Sequence, residues 1–301
     1  QVLMTLYEKN IPFKCQLVAL YAMEHYEPWF LRLNPRGEVP VLVDGVKVIP
    51  DSNRIIEYLE DNFTNGEFTN LNPKLKGSTE SKDIQKMRDM LENLPIPVIT
   101  YGSALHPHLM DNPKEPFSPG ILNKMGEMAK KRHIILREVA EKHPEFSEVL
   151  LAKADEAEHG SLNLNQSQDN VVVALDKCDS VLATVEQKLA LNTDDKTDWW
   201  LCGEMFSIAD IDLAILLNRL NLLGHEKRYW SEGKRPHLEA YWKRIQQKES
   251  FKKATYFSSH GMQLTVLRGL LKRNHPVLLT AAFAAGLLAA SLVLFRRVQR
   301  S

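Results

Sequence analysis

The chain has 301 residues, 44% of them apolar and 25% charged, which leaves room for two ordinary cores and excludes a disordered or fibrous protein. Its formal charge of zero hides an asymmetry, because six of the 38 Lys and Arg lie beyond residue 256 without one acidic residue among them. The body, 1–256, therefore sets 32 basic against 38 acidic side chains, a net of −6, and such a body is a poor partner for nucleic acid, whose phosphates need clustered positive charge. Cys15, Cys178 and Cys202 are far apart and form no C-x-x-C pair, so neither a disulfide framework nor a zinc site follows and a reducing compartment is the default. Each thiol reads as a small buried hydrophobe rather than a reactive group.

The chain opens on Gln1 within a helical pattern and is read as N-terminally incomplete. Val2, Leu3, Leu6 and Tyr7 share one helical face, and Asn10 suits a left-handed cap before Ile11-Pro12. A strand is predicted from Lys14 to Leu20, then a helix or turn around "EPWFLRLNP". In "GEVPVLVDG" Pro40 enters a run of strand formers, and Asp44-Gly45 is a two-residue turn signal that returns the chain along Val46–Ile49. Proline is tolerated at the first residue of a strand. The residues alone favour an ordinary trans bond at Val39-Pro40; a cis bond, the alternative, would expose the Val39 backbone to a ligand. In "PDSNRIIEYLEDNF" Ser52 reads as the N-cap of a helix whose inner face is Ile55, Ile56, Leu59 and Phe63.

Residues 64–81 are polar and rich in turn formers, a linker between residues 1–63 and a helical region over 82–256. The strongest helical stripe there is Val171, Leu175, Cys178, Leu182, Val185 and Leu189. "FSIADIDLA" carries Ser207 and Asp210 as a capping pair, with Phe206 and Ile211 placed to staple the helix start.

From Val277 to Phe295 no residue is charged, and at about 1.5 Å per residue the run spans roughly 28 Å, close to a hydrocarbon core. Arg268, Lys272 and Arg273 precede it, and Arg296, Arg297 and Arg300 follow it. It is predicted to be a membrane tail anchor with the body left in the cytosol, and the basic flanks suit an anionic leaflet. Residues 258–275 read as a basic amphipathic helix at the interface, with packing on the body as the alternative, and Met262, Val266, Leu267, Leu270 and Leu271 on its apolar side.

"LNPRGEVPVLVDG" followed by "PDSNRIIEYL" resembles the glutathione transferase N-terminal domain, and "FSIADIDLA" its C-terminal core helix. "EPWFLRLNPRGEVPVL", "ALHPHL" and "WLCGEMFSIADIDLAILLNRLNLLG" narrow the resemblance to the ganglioside-induced differentiation-associated protein 1 family. The resemblance implies an α+β thioredoxin-like N-terminal domain lacking its first strand, an all-α glutathione transferase C-terminal domain and a C-terminal transmembrane helix. It also implies an insertion near residues 95–165, which holds the basic helix "MAKKRHIILREV", read as a solvated face with a partner site as the alternative.

The resemblance further implies a cis bond at Val39-Pro40, a Val39 backbone that meets the cysteinyl part of glutathione, and Asp51-Ser52 where the γ-glutamyl group is gripped. No cofactor is read from the residues, glutathione is the implied ligand, and the catalytic residue stays unknown because its position lies upstream of Gln1. The implied setting is the outer mitochondrial membrane, and the peroxisomal membrane besides, with membrane lipids, protein partners and a homodimer as the associations. The implied role lies in mitochondrial fission, network dynamics, contacts and redox balance; the alternative is a membrane-bound transferase that conjugates glutathione to electrophiles. His106-Pro107-His108 lacks further ligands at fixed spacing and reads as a loop, and no phosphate loop, G-x-S-x-G or repeat is present.

Overall fold

The first helix, α1 (Val2–Glu8), ends as its sequence predicts. Asn10 adopts φ 54°, the Asn10 amide bonds the Tyr7 carbonyl and the Ile11 amide bonds the Leu6 carbonyl, which together close a left-handed cap. The computed structural model describes residues 1–257 apart from 21–22, 65, 73–77, 160–166 and 192–199. The predicted amphipathic helix, the membrane span and the flanking Arg268, Lys272, Arg273, Arg296, Arg297 and Arg300 lie outside the described residues. Among the described residues no helix is long and apolar enough to cross a membrane.

Residues 11–19 have no regular structure, which corrects the strand predicted from Lys14 to Leu20. A strand exists only by pairing, and the one sheet among the described residues is a hairpin of β1 (Val41–Asp44) and β2 (Lys47–Pro50). Between residues 11–19 and the hairpin lie a 3₁₀ turn at Glu24–Tyr26 and the short helix α2 (Pro28–Leu31). In the hairpin Asp44 pairs with Lys47, so the two-residue loop is Gly45-Val46, one position beyond the expected Asp44-Gly45. Gly45 takes φ 58° at the first loop position, where a positive angle is needed.

The hairpin packs Leu42 and Ile49 onto α3 (Ser52–Asn62), whose Ile55 and Leu59 form a small core with Leu6 and Ile11. Phe63 joins it from the edge. The Tyr58 hydroxyl donates to Asp44 at 2.8 Å and Lys47 lies over the Tyr58 ring, so the hairpin tip is fastened to the same helix.

Beyond α3 the elements among the described residues are helical or 3₁₀: α4 (Thr79–Glu92), which begins within the predicted linker, α5 (Ile96–Leu105), α6 (Pro119–Lys142), α7 (Ser147–His159), α8 (Gln168–Leu191), α9 (Ile208–Leu222), α10 (Glu226–Tyr229) and α11 (Pro236–Ile245). All six residues of the predicted α8 stripe are buried, and they meet α4, α5, α9 and α11 in the main core, where the Trp230 and Trp242 rings lie 6.1 Å apart, tilted by 58°. The contact of α5 with α8 is close enough that a Cβ on Gly102 would lie 2.4 Å from a Val171 methyl. Helices α6 and α7, joined by a 3₁₀ turn, pack along each other as an arm whose core is Leu136, Ala140, Leu150, Ala154 and Ala157, completed by Tyr26 and Leu31. The outer face of α6 is solvated: Lys130 and Lys131 are exposed, and Arg137 pairs with Asp155 and Glu158.

Cys178 is buried and its thiol is pushed up to about 12 by burial; burial likewise raises that of Cys202. Cys15 is exposed and Cys202 half-buried, which corrects the reading of all three as buried hydrophobes; residues 11–19 join no element that would cover Cys15. The His106 and His108 rings lie 6.1 Å apart at the end of α5, and among the described residues no group of three His, Cys, Asp or Glu could hold a metal.

His225, fully buried, shares a 3.0 Å hydrogen bond with Ser103. Burial, with Arg228 beside it, lowers its pKa from 6.5 to about 4. The unfolded chain takes up this proton near pH 6.5 and the folded chain only near pH 4, so between these values the unfolded state binds more protons. Stability therefore falls as pH drops through that window, by about 3 kcal/mol at pH 4. Urea midpoints of a His225→Gln variant should depend less on pH between 6.5 and 4 than those of the wild type; parallel curves would place the acid sensitivity elsewhere.

Candidate functional site

The segment before Pro40 is a tight turn built from its own side chains. Asn34, followed by Pro35, accepts the Arg36 amide on Oδ1 at 3.2 Å, its carbonyl accepts the Gly37 amide, and its Nδ2 donates to the Glu38 carbonyl at 2.8 Å. Gly37 takes φ 61° and packs against Tyr26 so closely that a Cβ would lie 2.6 Å from the ring. The Val39-Pro40 bond is cis. Pro40 leads directly into β1, and Val39 is 43% exposed at the entrance to the hairpin.

Asp51 and Ser52 lie at the other end of that hairpin, where β2 turns into α3. The cap is Asp51, not Ser52. Its Oδ1 accepts the Asn53 amide at 2.9 Å and the Arg54 amide at 3.2 Å, and Ser52 is the first helical residue. A carboxylate one residue upstream competes successfully with the hydroxyl, because it accepts two amides and meets the positive end of the helix. Asp51 has φ 77° and ψ 131°, a conformation that disfavours a side chain by about 1–3 kcal/mol. The two amides it binds help hold that strain. Two of the donors that could meet a ligand carboxylate are thereby occupied by the protein itself.

A third contribution comes from the arm. Lys153 of α7 has a side chain that is 1% exposed, and its Nζ reaches Glu38 Oε1 at 2.7 Å and the Arg36 carbonyl at 2.6 Å. Glu38 also pairs with Arg36 at 3.2 Å. Burial would raise the Glu38 carboxyl, but the hydrogen bond and charge of Lys153, with Arg36, hold it below the usual range. Burial lowers the Lys153 pKa and Glu38 opposes that shift. His25 also faces Lys153; burial first, then Lys153 and Arg132, lower it to about 4, so it stays neutral. The sequence reading missed Glu38 and Lys153. They are 115 positions apart, and nothing in local periodicity signals such a pair, although "NPRG" carries a visible turn signal.

Ser207 and Asp210 do what their spacing predicts. Asp210 accepts the Ser207 amide at 2.9 Å, the Ser207 hydroxyl at 2.8 Å, the Leu201 amide at 2.8 Å and the Tyr241 hydroxyl at 2.8 Å. Burial raises its pKa against these four donors. Phe206 and Ile211 both join the main core around it. The pair is structural, far from the Asp51 cap. An open groove of about 790 Å³, lined by Thr79, Lys86, Cys202 and Met205 among others, also includes none of Val39, Pro40, Asp51 and Ser52.

Residues 1–62 match the model of the glutathione S-transferase N-terminal domain, and residues 130–249 that of the C-terminal domain. Ganglioside-induced differentiation-associated protein 1-like 1 of Homo sapiens is 31% identical over 301 residues, covering 95% of this chain and 79% of that protein, and the Mus musculus protein is also 31% identical. This chain belongs to the ganglioside-induced differentiation-associated protein 1 family. Glutathione S-transferase TCHQD of Arabidopsis thaliana is 26% identical, covering 89% of this chain and 90% of its own. The crystal structure of the beta-etherase LigF from Sphingobium sp. strain SYK-6 superposes with a TM-score of 0.58 at 23% identity, over 84% of this chain and 91% of that one, a likeness of fold alone.

Membership of the ganglioside-induced differentiation-associated protein 1 family is therefore carried by both halves of the chain. The helices α4 and α5 and the first part of α6 fall between the two transferase models, where the arm begins. For this family member the cap makes a direct prediction. Asp51→Ala should lower stability by about 1–2 kcal/mol in urea denaturation without ligand, Asp51→Asn less, and Ser52→Ala by no more than about 0.5 kcal/mol. Equal losses for Asp51→Ala and Ser52→Ala would contradict the assignment of the cap.

Proposed function

We propose that this chain is a glutathione transferase-like scaffold anchored in the outer mitochondrial membrane through residues 277–295, with its folded body on the cytosolic side. It acts there, and on the peroxisomal membrane, through protein and lipid partners in network dynamics, fission or contacts and in redox balance. The observation that carries the reading is the state of the ligand site: α3 is capped by the chain's own Asp51, and the turn before Pro40 is held by Lys153. A site stabilised from within has less to gain from a ligand. The membrane part is supported by family membership and by nineteen consecutive uncharged residues with arginines beyond both ends.

A second reading, a membrane-bound transferase that conjugates glutathione to electrophiles, draws on the exposed Val39 at the entrance to β1 and on the Ser52 hydroxyl at the start of α3. Titration separates the two. With glutathione at ten times its dissociation constant the body would gain only about 1.4 kcal/mol, so calorimetry is the sensitive readout. Weak or no heat is expected, with no thiol conjugation; saturable binding that Ser52→Ala weakens, with measurable conjugation, would make the chain an enzyme first.

Anchoring has its own test. Deleting residues 276–301 should move the protein from the mitochondrial pellet to the cytosol, and continued sedimentation with mitochondria would refute the anchor. Replacing Arg296, Arg297 and Arg300 by Ser should shift the protein toward other membranes in microscopy, and unchanged localisation would remove these residues from organelle choice.

A further inference from the structure

The arm and the ligand loop meet at two places. One is charge: the buried Lys153 ammonium holds both the Glu38 carboxylate and the Arg36 carbonyl. The other is packing: Tyr26 lies in the arm's core beside Leu136 and Leu150 and, on its other side, against Gly37. Asn34 ties the remaining ends of the turn together, bonding the Arg36 amide and the Glu38 carbonyl. Residues 34–38 are thus tied to α7 through Glu38 and the Arg36 carbonyl, while the Asn34 amide bonds the Phe30 carbonyl of α2.

A lysine that loses its carboxylate while buried is strongly unfavourable, so Lys153 cannot leave Glu38 and stay where it is. Separation of the arm from the body strands Lys153 unless it moves into water, and movement of the loop strands it equally. Docked arm with closed loop, and undocked arm with loosened loop, are the two consistent arrangements. Such a two-position element is what carries coupling between distant surfaces.

We propose that the α6–α7 arm is a built-in regulator of the ligand loop, with Lys153 as the positioning residue that couples arm docking to the conformation of residues 34–39. A molecule that engages the arm then changes what the Val39 backbone presents, and a ligand at Val39 changes arm docking by the same factor. The coupling holds whether or not glutathione binds, so it stands apart from the function proposed above.

Hydrogen exchange by mass spectrometry on the full chain, in lipid or detergent, tests it. Peptides spanning 32–40 and 147–159 are followed in the wild type, Lys153→Met, Glu38→Gln and the double variant. Each single variant should speed exchange in both peptides by about tenfold, within the usual range of coupling. The double variant should add little beyond either single one, as for two members of one contact. Lys153→Met that loosens 147–159 while 32–40 keeps its wild-type rate would overturn the proposal. If Lys153→Met does not fold, Glu38→Gln decides, since its amide oxygen can still accept from Lys153 while the charge is lost at a position that is 43% exposed: loosening confined to 32–40 would overturn the coupling.

Discussion

The parts that place the candidate site are held in register by one lysine with no access to water. Lys9, at the end of α1, bonds Glu60 of α3 and the carbonyl of Thr69, each at 2.9 Å. Glu60 in turn accepts the Leu71 amide at 3.3 Å, and the Leu71 carbonyl accepts the Ile208 amide at the start of α9 at 3.0 Å. One buried ammonium therefore connects α1, α3, the crossing segment and the core helix of the second half. A buried ion pair adds little net stability over apolar packing, yet removing one partner is strongly destabilising, commonly by about 3–5 kcal/mol. The arrangement serves to specify one packing of the two halves. The angle of α3, and with it Asp51 and the hairpin, follows from that packing.

A second buried charge group repeats the logic at the opposite side of α1. Arg88 of α4 bonds Asp212 of α9 at 3.0 Å and Glu92 at 2.8 Å, while Gln1 reaches Asp212 at 2.9 Å. Burial raises the Asp212 carboxyl and the Arg88 charge opposes it, so the two are mutually dependent. The thioredoxin-like part is thus gripped at both ends of its first helix and, through Lys153, at the turn before β1. Rigid support on three sides explains how a two-stranded sheet, too small to stand alone in water, keeps a defined shape among the described residues.

What was legible in the sequence was local. The α8 stripe, the Asn10 cap, the Ser207–Asp210 box and the inner face of α3 each depend on spacings of three or four residues, and each was found where expected. The unread features needed a partner from elsewhere. Residues 14–20 have strand composition but no ladder to join, and Cys15 stays exposed for the same reason. The α3 cap fell one residue early because Asp and Ser are nearly equivalent caps by type, and only the two amides that Asp51 accepts decide between them. Lys153 looked like one more charge on an amphipathic helix; its role emerges only when α7 is folded back against the turn at Asn34–Gly37.

The contact of α5 with α8 bears on how this chain can change over time. No side chain fits at position 102 while Val171 stands opposite, because its first carbon would already overlap a methyl group. Yet glycine is a poor helix residue, by roughly 1 kcal/mol against alanine, so a standing pressure favours its replacement. The two positions are locked into an order. A side chain at 102 becomes possible only after a smaller residue stands at 171, so the two replacements have a required sequence in which 171 is first.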